Sequence, residues 1–164
     1  MIKAGIIGTG NIGTDLLLKI LKTNFITPVI FSGRRLDSDG MKIAIQKNIP
    51  ITDKGIQYFI DNPNCCDVVY DCTSAADAKL HAKVFADQGI KVIDLTPAKV
   101  GPLCVPSINS KIILDYDNVN MITCGGQASM PMLNLISKYC DKLEYIEVVS
   151  QIASKSAGMA TRIN

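Results

Sequence analysis

The chain has 164 residues, enough for one domain with its own core or for one domain and the beginning of another. Hydrophobic residues make up 48% of the sequence and charged residues 20%, a composition typical of a soluble globular protein. The formal net charge is +2 without long basic runs, so it gives no case for nucleic-acid or membrane binding. No apolar stretch approaches the roughly 20 residues that cross a bilayer.

In chain order, β-branched runs alternate with helical periodicity. The pattern predicts strands at 3–8, 27–32, 67–71, 90–94 and 119–122, with helices at 11–22, 39–47, 55–60 and 75–88 between them. A Pro-rich stretch at 97–106 is too irregular for regular structure. A last helix is expected to begin near Gln127 or Ala128, with Pro131 in its first turn, and 145–152 alternates like a strand of another layer.

A glycine-rich turn follows the first predicted strand. Its residues match G-x-G-x-x-G between a strand and a helix, and they are Gly8, Thr9, Gly10, Asn11, Ile12 and Gly13. Such a turn lets the backbone approach a pyrophosphate, whose charge the helix N-terminus favours; the alternative is a packing turn. We predict an α/β fold: a Rossmann-type, doubly wound parallel sheet at 1–123 that binds a dinucleotide, then the start of an α+β domain at 124–164.

The second predicted strand lacks the acid that would hold the ribose 2′-hydroxyl of NAD. Gly33, Arg34 and Arg35 stand in its place. Because arginine can pair with a 2′-phosphate, the sequence predicts that NADP is tolerated or preferred; the alternative is two solvated arginines. Thr73, Ser74 and Thr96, at the carboxyl ends of later strands, are predicted to line the same cleft or to form ordinary turns.

Cys124 stands where the last predicted strand gives way to two glycines and a helix. A helix N-terminus favours the thiolate, and the glycine amides can donate to an oxyanion, so this pattern predicts a nucleophile. The sequence shows no general base. The single histidine, His81, is predicted to be a surface residue, and Asp71 and Asp94 are predicted either to end strands near the cofactor or to accept local N–H groups.

The other cysteines have no comparable setting. No cysteine stands in a C-x-x-C pair, so a metal site is not expected. The start of the chain lacks a signal-peptide pattern, and we therefore expect a cytoplasmic protein with reduced thiols. Four of these thiols are predicted to be small core residues: Cys65, Cys66, Cys72 and Cys140.

Six blocks of sequence resemble the acylating acetaldehyde dehydrogenase family. In order they are GTGNIGTDL at 8–16, DCTSA at 71–75, IDLTPA at 93–98, GPLCVP at 101–106, VNMITCGGQA at 119–128 and ASKSAGMATRIN at 153–164. The resemblance implies that Cys124 is the nucleophile of an oxidoreductase that converts short-chain aldehydes to acyl-CoA through a thioester. It implies NAD as cofactor and coenzyme A as co-substrate.

The resemblance also implies cofactor contacts and partners. The contacts lie at 9–12 and at Ser156, Ala157, Gly158, Met159, Ala160, Thr161, Arg162, Ile163 and Asn164. The implied partners are a second copy of the full-length chain and a 4-hydroxy-2-oxovalerate aldolase, and the implied setting is the catabolism of aromatic hydrocarbons.

Family members are considerably longer, so we expect a truncated chain whose own catalysis is weak or absent. Two other hypotheses remain open. The first is another cysteine-dependent reductase, of the semialdehyde or acyl-phosphate type, and the second is a non-catalytic module that binds NAD(P).

Overall fold

The computed structural model of the protein describes residues 1–151. The elements follow one another as β1 (Ile2–Ile7), α1 (Asn11–Ile20), β2 (Ile26–Ser32), α2 (Asp39–Gln46), β3 (Ile51–Thr52), α3 (Ile56–Asp61), β4 (Val68–Asp71), α4 (Ala75–Asp87), β5 (Lys91–Asp94), α5 (Pro106–Asn109), α6 (Ile112–Asp115), β6 (Asn118–Asn120) and α7 (Cys124–Tyr139). The six strands are parallel in the order β3-β2-β1-β4-β5-β6. The prediction of a doubly wound parallel sheet is confirmed.

Both faces of the sheet are buried, which explains why its strands are apolar runs rather than alternating ones. On one face, α3 and α4 contribute Phe59 and Phe85, whose rings meet edge to face at 5.2 Å over Ile7 and Val69. On the other face, α1 and α2 pack against β1 and β2, and the buried side chains are Ile6, Leu17, Ile20, Phe31, Met41 and Ala44. Burial of these two layers provides the main stabilising free energy of the domain.

Three short elements are absent from the sequence-based prediction: β3, α5 and α6. They contain only two to four residues, too few to display a hydrophobic period. The helix starts are better marked, because Ser38 caps α2 and Ser74 caps α4 by accepting hydrogen bonds from the N–H groups of Met41 and Asp77. Within residues 1–151, no helix combines the length and apolar character that a membrane span requires.

The end of the described chain departs from the prediction. The expected helix start near Gln127 or Ala128 is wrong, because Thr123 accepts a hydrogen bond from the N–H of Gly126 at 3.1 Å and α7 begins directly after it, at Cys124. Pro131 therefore lies inside the helix rather than in its first turn. The predicted strand does not form over 145–151, and its last residue, 152, lies outside the described residues.

The strand order reverses between β1 and β4, and backbone hydrogen bonds hold the end of β1 close to the ends of both of its neighbours, β2 and β4. The N–H of Gly8 donates to the carbonyl of Ser32 at 2.9 Å, and the N–H of Cys72 donates to the carbonyl of Ile7 at 2.8 Å. Gly8 has a φ of 103°, a backbone conformation that glycine adopts readily and that residues with a Cβ rarely adopt. In open α/β sheets ligands bind at such a reversal, so the fold itself indicates where the site lies.

Replacing Gly13 with alanine is expected to destabilise the domain. A Cβ at this position would overlap the carbonyl oxygen of Gly8, which is backbone and cannot move aside cheaply. We expect a loss of about 2 kcal/mol or more in the free energy of unfolding, measured by urea denaturation. Gly10→Ala is the matched control, because a Cβ there meets no atom within 4 Å. Equal stability of the two variants would contradict this account of the turn.

Candidate dinucleotide cleft and nucleophile

A cleft of about 630 Å³ opens at the carboxyl edge of the sheet, where the strand order reverses. It brings together seven of the sequence-predicted cofactor residues: Gly8, Thr9, Gly10, Arg34, Arg35, Thr73 and Ser74. The remaining lining residues are Ile7, Gly33, Ser38, Lys54, Gly55, Ile56, Cys72, Asp77 and His81. Of the other predicted residues in the turn, Asn11 and Ile12 are exposed, whereas Gly13 is buried under the turn.

The glycine turn has the shape and polarity that suit a pyrophosphate. Gly10 is the N-cap of α1 and offers no side chain to cap it, and the first helical hydrogen bond runs from the N–H of Thr14 to the carbonyl of Gly10. The N–H groups of the first turn therefore have no helical acceptor. Open space surrounds Gly10, and this combination of space and free donors fits an anionic cofactor.

A buried histidine–carboxylate pair lies beside the cleft. The Nδ1 of His81 is 2.8 Å from Oδ2 of Asp71, and His81 is 7% exposed. The prediction of a surface histidine is wrong. Ala78, His81 and Phe85 form the buried stripe of α4, and this spacing of three and four residues was the sequence signal that would have located the histidine.

Asp71 also holds the turn that follows β4. Its Oδ1 accepts hydrogen bonds from the N–H of Thr73, at 3.0 Å, and from the Thr73 hydroxyl. The backbone just before Thr73 lies against the glycine turn: a Cβ on Gly8 would come within 2.5 Å of the carbonyl oxygen of Cys72. The hydrogen bonds to Asp71 therefore hold Thr73 and Ser74 beside the glycine turn. One buried carboxylate thus links β4, α4 and the wall of the cleft.

A second buried polar cluster lies two strands away from β1. Oδ1 of Asp94 accepts from the N–H of Thr96 at 2.7 Å, and its Oδ2 accepts from Nδ2 of Asn120 at 3.1 Å. The same Nδ2 donates to the carbonyl of Thr96 at 2.8 Å. These bonds join the ends of β5 and β6 immediately before the chain reaches Cys124. The prediction that Thr96 lines the cofactor cleft is wrong, because Thr96 is buried in this cluster and is not one of the residues that line the cleft. Asn120 is absent from the sequence-based site, because asparagine inside a short strand gives no distinctive pattern.

Cys124 is exposed and is the first residue of α7, at the same edge of the sheet as the glycine turn. The turn before it is sharp, with a φ of 25° at Ile122. The Nε2 of Gln127 donates to the carbonyl of Cys104 at 2.7 Å and fastens the first turn of α7 to the loop beneath it. Since neighbouring strands lie about 4.8 Å apart, the three strand spacings from β1 to β6 span about 14 Å.

The remaining thiols differ from Cys124 in their surroundings. Cys72 lines the cleft, but burial, together with the charges of Asp71 and Asp94, raises the pKa of its thiol to about 12. Burial, and next the neighbouring Cys65, raises the pKa of Cys66 to about 12. Both groups therefore stay protonated at neutral pH and are poor nucleophiles.

Cys140 is not a core residue, contrary to the prediction. It is exposed and caps the far end of α7, a helix without a buried residue. Cys65 is half-buried and Cys66 is buried, which agrees with a packing role near the core. The predicted cofactor contacts at 156–164 lie outside the described residues.

Comparison with protein-family models gives two matches. Residues 3–116 match the semialdehyde dehydrogenase NAD-binding domain, and residues 124–164 match the dimerisation domain of prokaryotic acetaldehyde dehydrogenase. The first match covers more than half of the chain.

Curated relatives extend the resemblance over almost the whole chain. The acetaldehyde dehydrogenases of Pectobacterium atrosepticum and Spirochaeta aurantia are each 50% identical to this chain over 99% of its length. The acetaldehyde dehydrogenase of Bacillus cereus is 46% identical over the same share. The aligned part is 56%, 55% and 54% of these three proteins, so the chain spans about half the length of the relatives it matches.

Solved structures of low sequence identity share the fold. Aspartate semialdehyde dehydrogenase from Candida albicans, determined with NADP, superposes with a TM-score of 0.65 at 18% identity, covering 85% of this chain and 48% of that one. Aspartate semialdehyde dehydrogenase II from Vibrio cholerae gives a TM-score of 0.64 at 15% identity, covering 84% and 47%.

Replacing His81 with leucine is expected to lower the free energy of unfolding by about 3 kcal/mol, because it removes the hydrogen-bond partner of Oδ2 in the buried Asp71 side chain and leaves only the bonds from Thr73 to Oδ1. Urea denaturation measures the loss. Lys83→Ala, on the same helix, is the control and should stay within about 0.5 kcal/mol of the parent. A His81→Leu variant as stable as the control would show that the pair does not contribute to the fold.

Proposed function

We propose that this chain, which belongs to the semialdehyde dehydrogenase family by its NAD-binding domain, is the N-terminal part of an acylating aldehyde dehydrogenase of the acetaldehyde dehydrogenase type. The proposed reaction joins a short-chain aldehyde to coenzyme A and reduces NAD(P). The observation that carries the proposal is the exposed Cys124 thiol at the start of α7, on the sheet edge that also holds the dinucleotide cleft.

We assign the cofactor to the cleft. The N–H groups of the first turn of α1 would hold the pyrophosphate above Gly10, and Thr73 and Ser74 would form the wall beside Gly8. The chemistry that the nicotinamide supplies when bound is acceptance of a hydride from the substrate carbon. Residues 156–164 are proposed, from the family resemblance alone, to complete the cofactor contacts.

We assign covalent catalysis to Cys124. Its sulfur attacks the aldehyde carbon and forms a thiohemiacetal, and oxidation of that carbon leaves a thioester on Cys124. The thiol of coenzyme A then attacks the thioester carbonyl, takes the acyl group and releases the Cys124 sulfur. Gly126 already donates its N–H to Thr123, whereas the N–H of Gly125 has no helical acceptor and would stabilise the substrate oxygen.

The proposed setting follows from the same resemblance and from the surface of α7. All six cysteines are free, which supports a reducing, cytoplasmic location. The helix exposes a row of large apolar side chains that supports assembly with a second copy in the full-length protein: Met132, Leu135, Ile136 and Tyr139. An aldolase partner and a role in aromatic-compound catabolism rest on the resemblance alone.

A second candidate function is a semialdehyde or acyl-phosphate reductase. It is favoured by the match of residues 3–116 to the semialdehyde dehydrogenase NAD-binding domain. The two functions use the same cysteine chemistry and differ in what removes the acyl group, coenzyme A in one and phosphate in the other.

The first test assays this chain beside a version extended past Asn164 to the length of its relatives. With acetaldehyde, coenzyme A and NAD(P), the extended protein should form acyl-CoA together with the reduced cofactor. Cys124→Ala should lower the rate at least about 10³-fold, because the covalent route is lost. Cys140→Ala, at the other end of α7, is the matched control and should retain the parent rate.

Product formation that requires phosphate instead of coenzyme A would identify the second candidate. Cofactor binding without turnover, together with iodoacetamide labelling of Cys124 no faster than that of Cys140, would reduce the chain to a nucleotide-binding module and contradict the proposed enzyme.

Gly10→Ala should weaken cofactor binding without unfolding the domain. The added methyl group enters the space assigned to the pyrophosphate but meets no protein atom within 4 Å. We expect the Kd for the dinucleotide to rise about tenfold or more, measured by titration calorimetry, while the free energy of unfolding changes by less than about 1 kcal/mol. An unchanged Kd would place the pyrophosphate elsewhere.

A further inference from the structure

The cleft wall beyond β2 carries positive charge in the position where an NAD-binding sheet carries an acid. The strand ends at Ser32, whose buried hydroxyl donates to the carbonyl of Gly55 at 2.9 Å. Gly33 follows, and Arg34 and Arg35 come next along the cleft. No carboxylate from this strand end is therefore available for a ribose hydroxyl.

A third cation reaches the same wall from the neighbouring loop. Lys54 lines the cleft, and its loop is tied to the end of β2 because the N–H of Gly33 donates to the carbonyl of Thr52 and the N–H of Gly55 donates to the carbonyl of Gly33, both at 3.0 Å. These two hydrogen bonds hold the loops after β2 and β3 together. The cations on them consequently share one end of the cleft.

The nearby acids are engaged away from this wall. Asp37 binds Arg35 through two hydrogen bonds, 3.0 Å from Nε and 2.8 Å from Nη2, which raise the pKa of Arg35 and lower that of Asp37. Asp39 pairs with Lys42 at 3.0 Å. Among the described residues that line the cleft, Asp77 is the one acidic residue, and it accepts a hydrogen bond from the Ser74 hydroxyl at the start of α4.

Arg34 is the cation best suited to an added ligand. It enters no hydrogen bond or ion pair within the part of the chain that the structure describes, whereas Arg35 is held by Asp37, and Lys54 lies 3.7 Å from Asp61. A guanidinium prefers phosphate because two parallel N–H donors match two phosphate oxygens. A ribose hydroxyl offers no such match.

We propose that Arg34, with Lys54 on the adjoining loop, forms a subsite for the 2′-phosphate of NADP, so that this chain prefers NADP to NAD. The inference rests on the proposed function only in placing a dinucleotide in the cleft. Arg35 contributes less, because a bound phosphate has to compete with Asp37 for its guanidinium.

The test measures the Kd for NADP and for NAD by titration calorimetry with the parent chain and with Arg34→Ala and Lys54→Ala. The parent should bind NADP about tenfold or more tightly than NAD. Arg34→Ala should remove most of that preference by weakening NADP alone, and Lys54→Ala should remove part of it. Lys47→Ala, which deletes a positive charge at the far end of α2, is the matched control and should alter neither Kd.

Two probes isolate the subsite from the rest of the cofactor. Adenosine 2′,5′-bisphosphate should bind more tightly than adenosine 5′-phosphate, and added salt should weaken the first more than the second. NAD binding as tight as NADP binding, or an NADP preference that survives Arg34→Ala, would overturn the subsite while leaving the dinucleotide cleft intact. Failure of both dinucleotides to bind the parent would instead refute the cofactor assignment in the proposed function, and the subsite with it.

Discussion

The register of the parallel sheet is the constraint on which the rest of this structure depends. Ile7 of β1 is paired with Asp71 of β4, Asp71 with Asp94 of β5, and Asp94 with Asn120 of β6. Four strands therefore end at one level. Because each strand is followed by a turn or loop at that level, the glycine turn, the cleft wall and the cysteine all emerge on one edge.

Three of those strand ends are polar and almost completely buried, and each has its partners. Asp71 is bonded to His81 and Thr73, whereas Asp94 and Asn120 bond one another and the backbone around Thr96. Buried polar groups are costly unless they are satisfied, so these bonds fix the turns that they reach. These hydrogen bonds therefore hold the edge of the sheet on which the proposed ligand sites lie.

Much of the fold follows from the sequence because long apolar runs and the glycine fingerprint carry strong periodic signals. The start of α7 does not, since a threonine cap before two glycines overrides the expectation that Pro131 marks the first turn. His81 stands between Lys79 and Lys83, whose charges indicate a solvated face, but its spacing from Ala78 and Phe85 indicates the buried face of α4. The sequence does not show which of the two arginines forms an ion pair with Asp37, because that depends on side-chain geometry; in the structure the partner is Arg35.

The strand order also determines when each part of the site can assemble during synthesis on the ribosome. Every residue that lines the cleft precedes β5, and β1 and β4 already pair across the centre of the sheet. β5 and β6 follow later in the chain, and Val92 of β5 belongs to the same buried cluster as Phe59 and Phe85, so that face of the core is complete only once β5 has been synthesised. The residues that line the cleft are therefore synthesised before Cys124, the proposed nucleophile, whereas residues 156–164, proposed to complete the cofactor contacts, are synthesised after it.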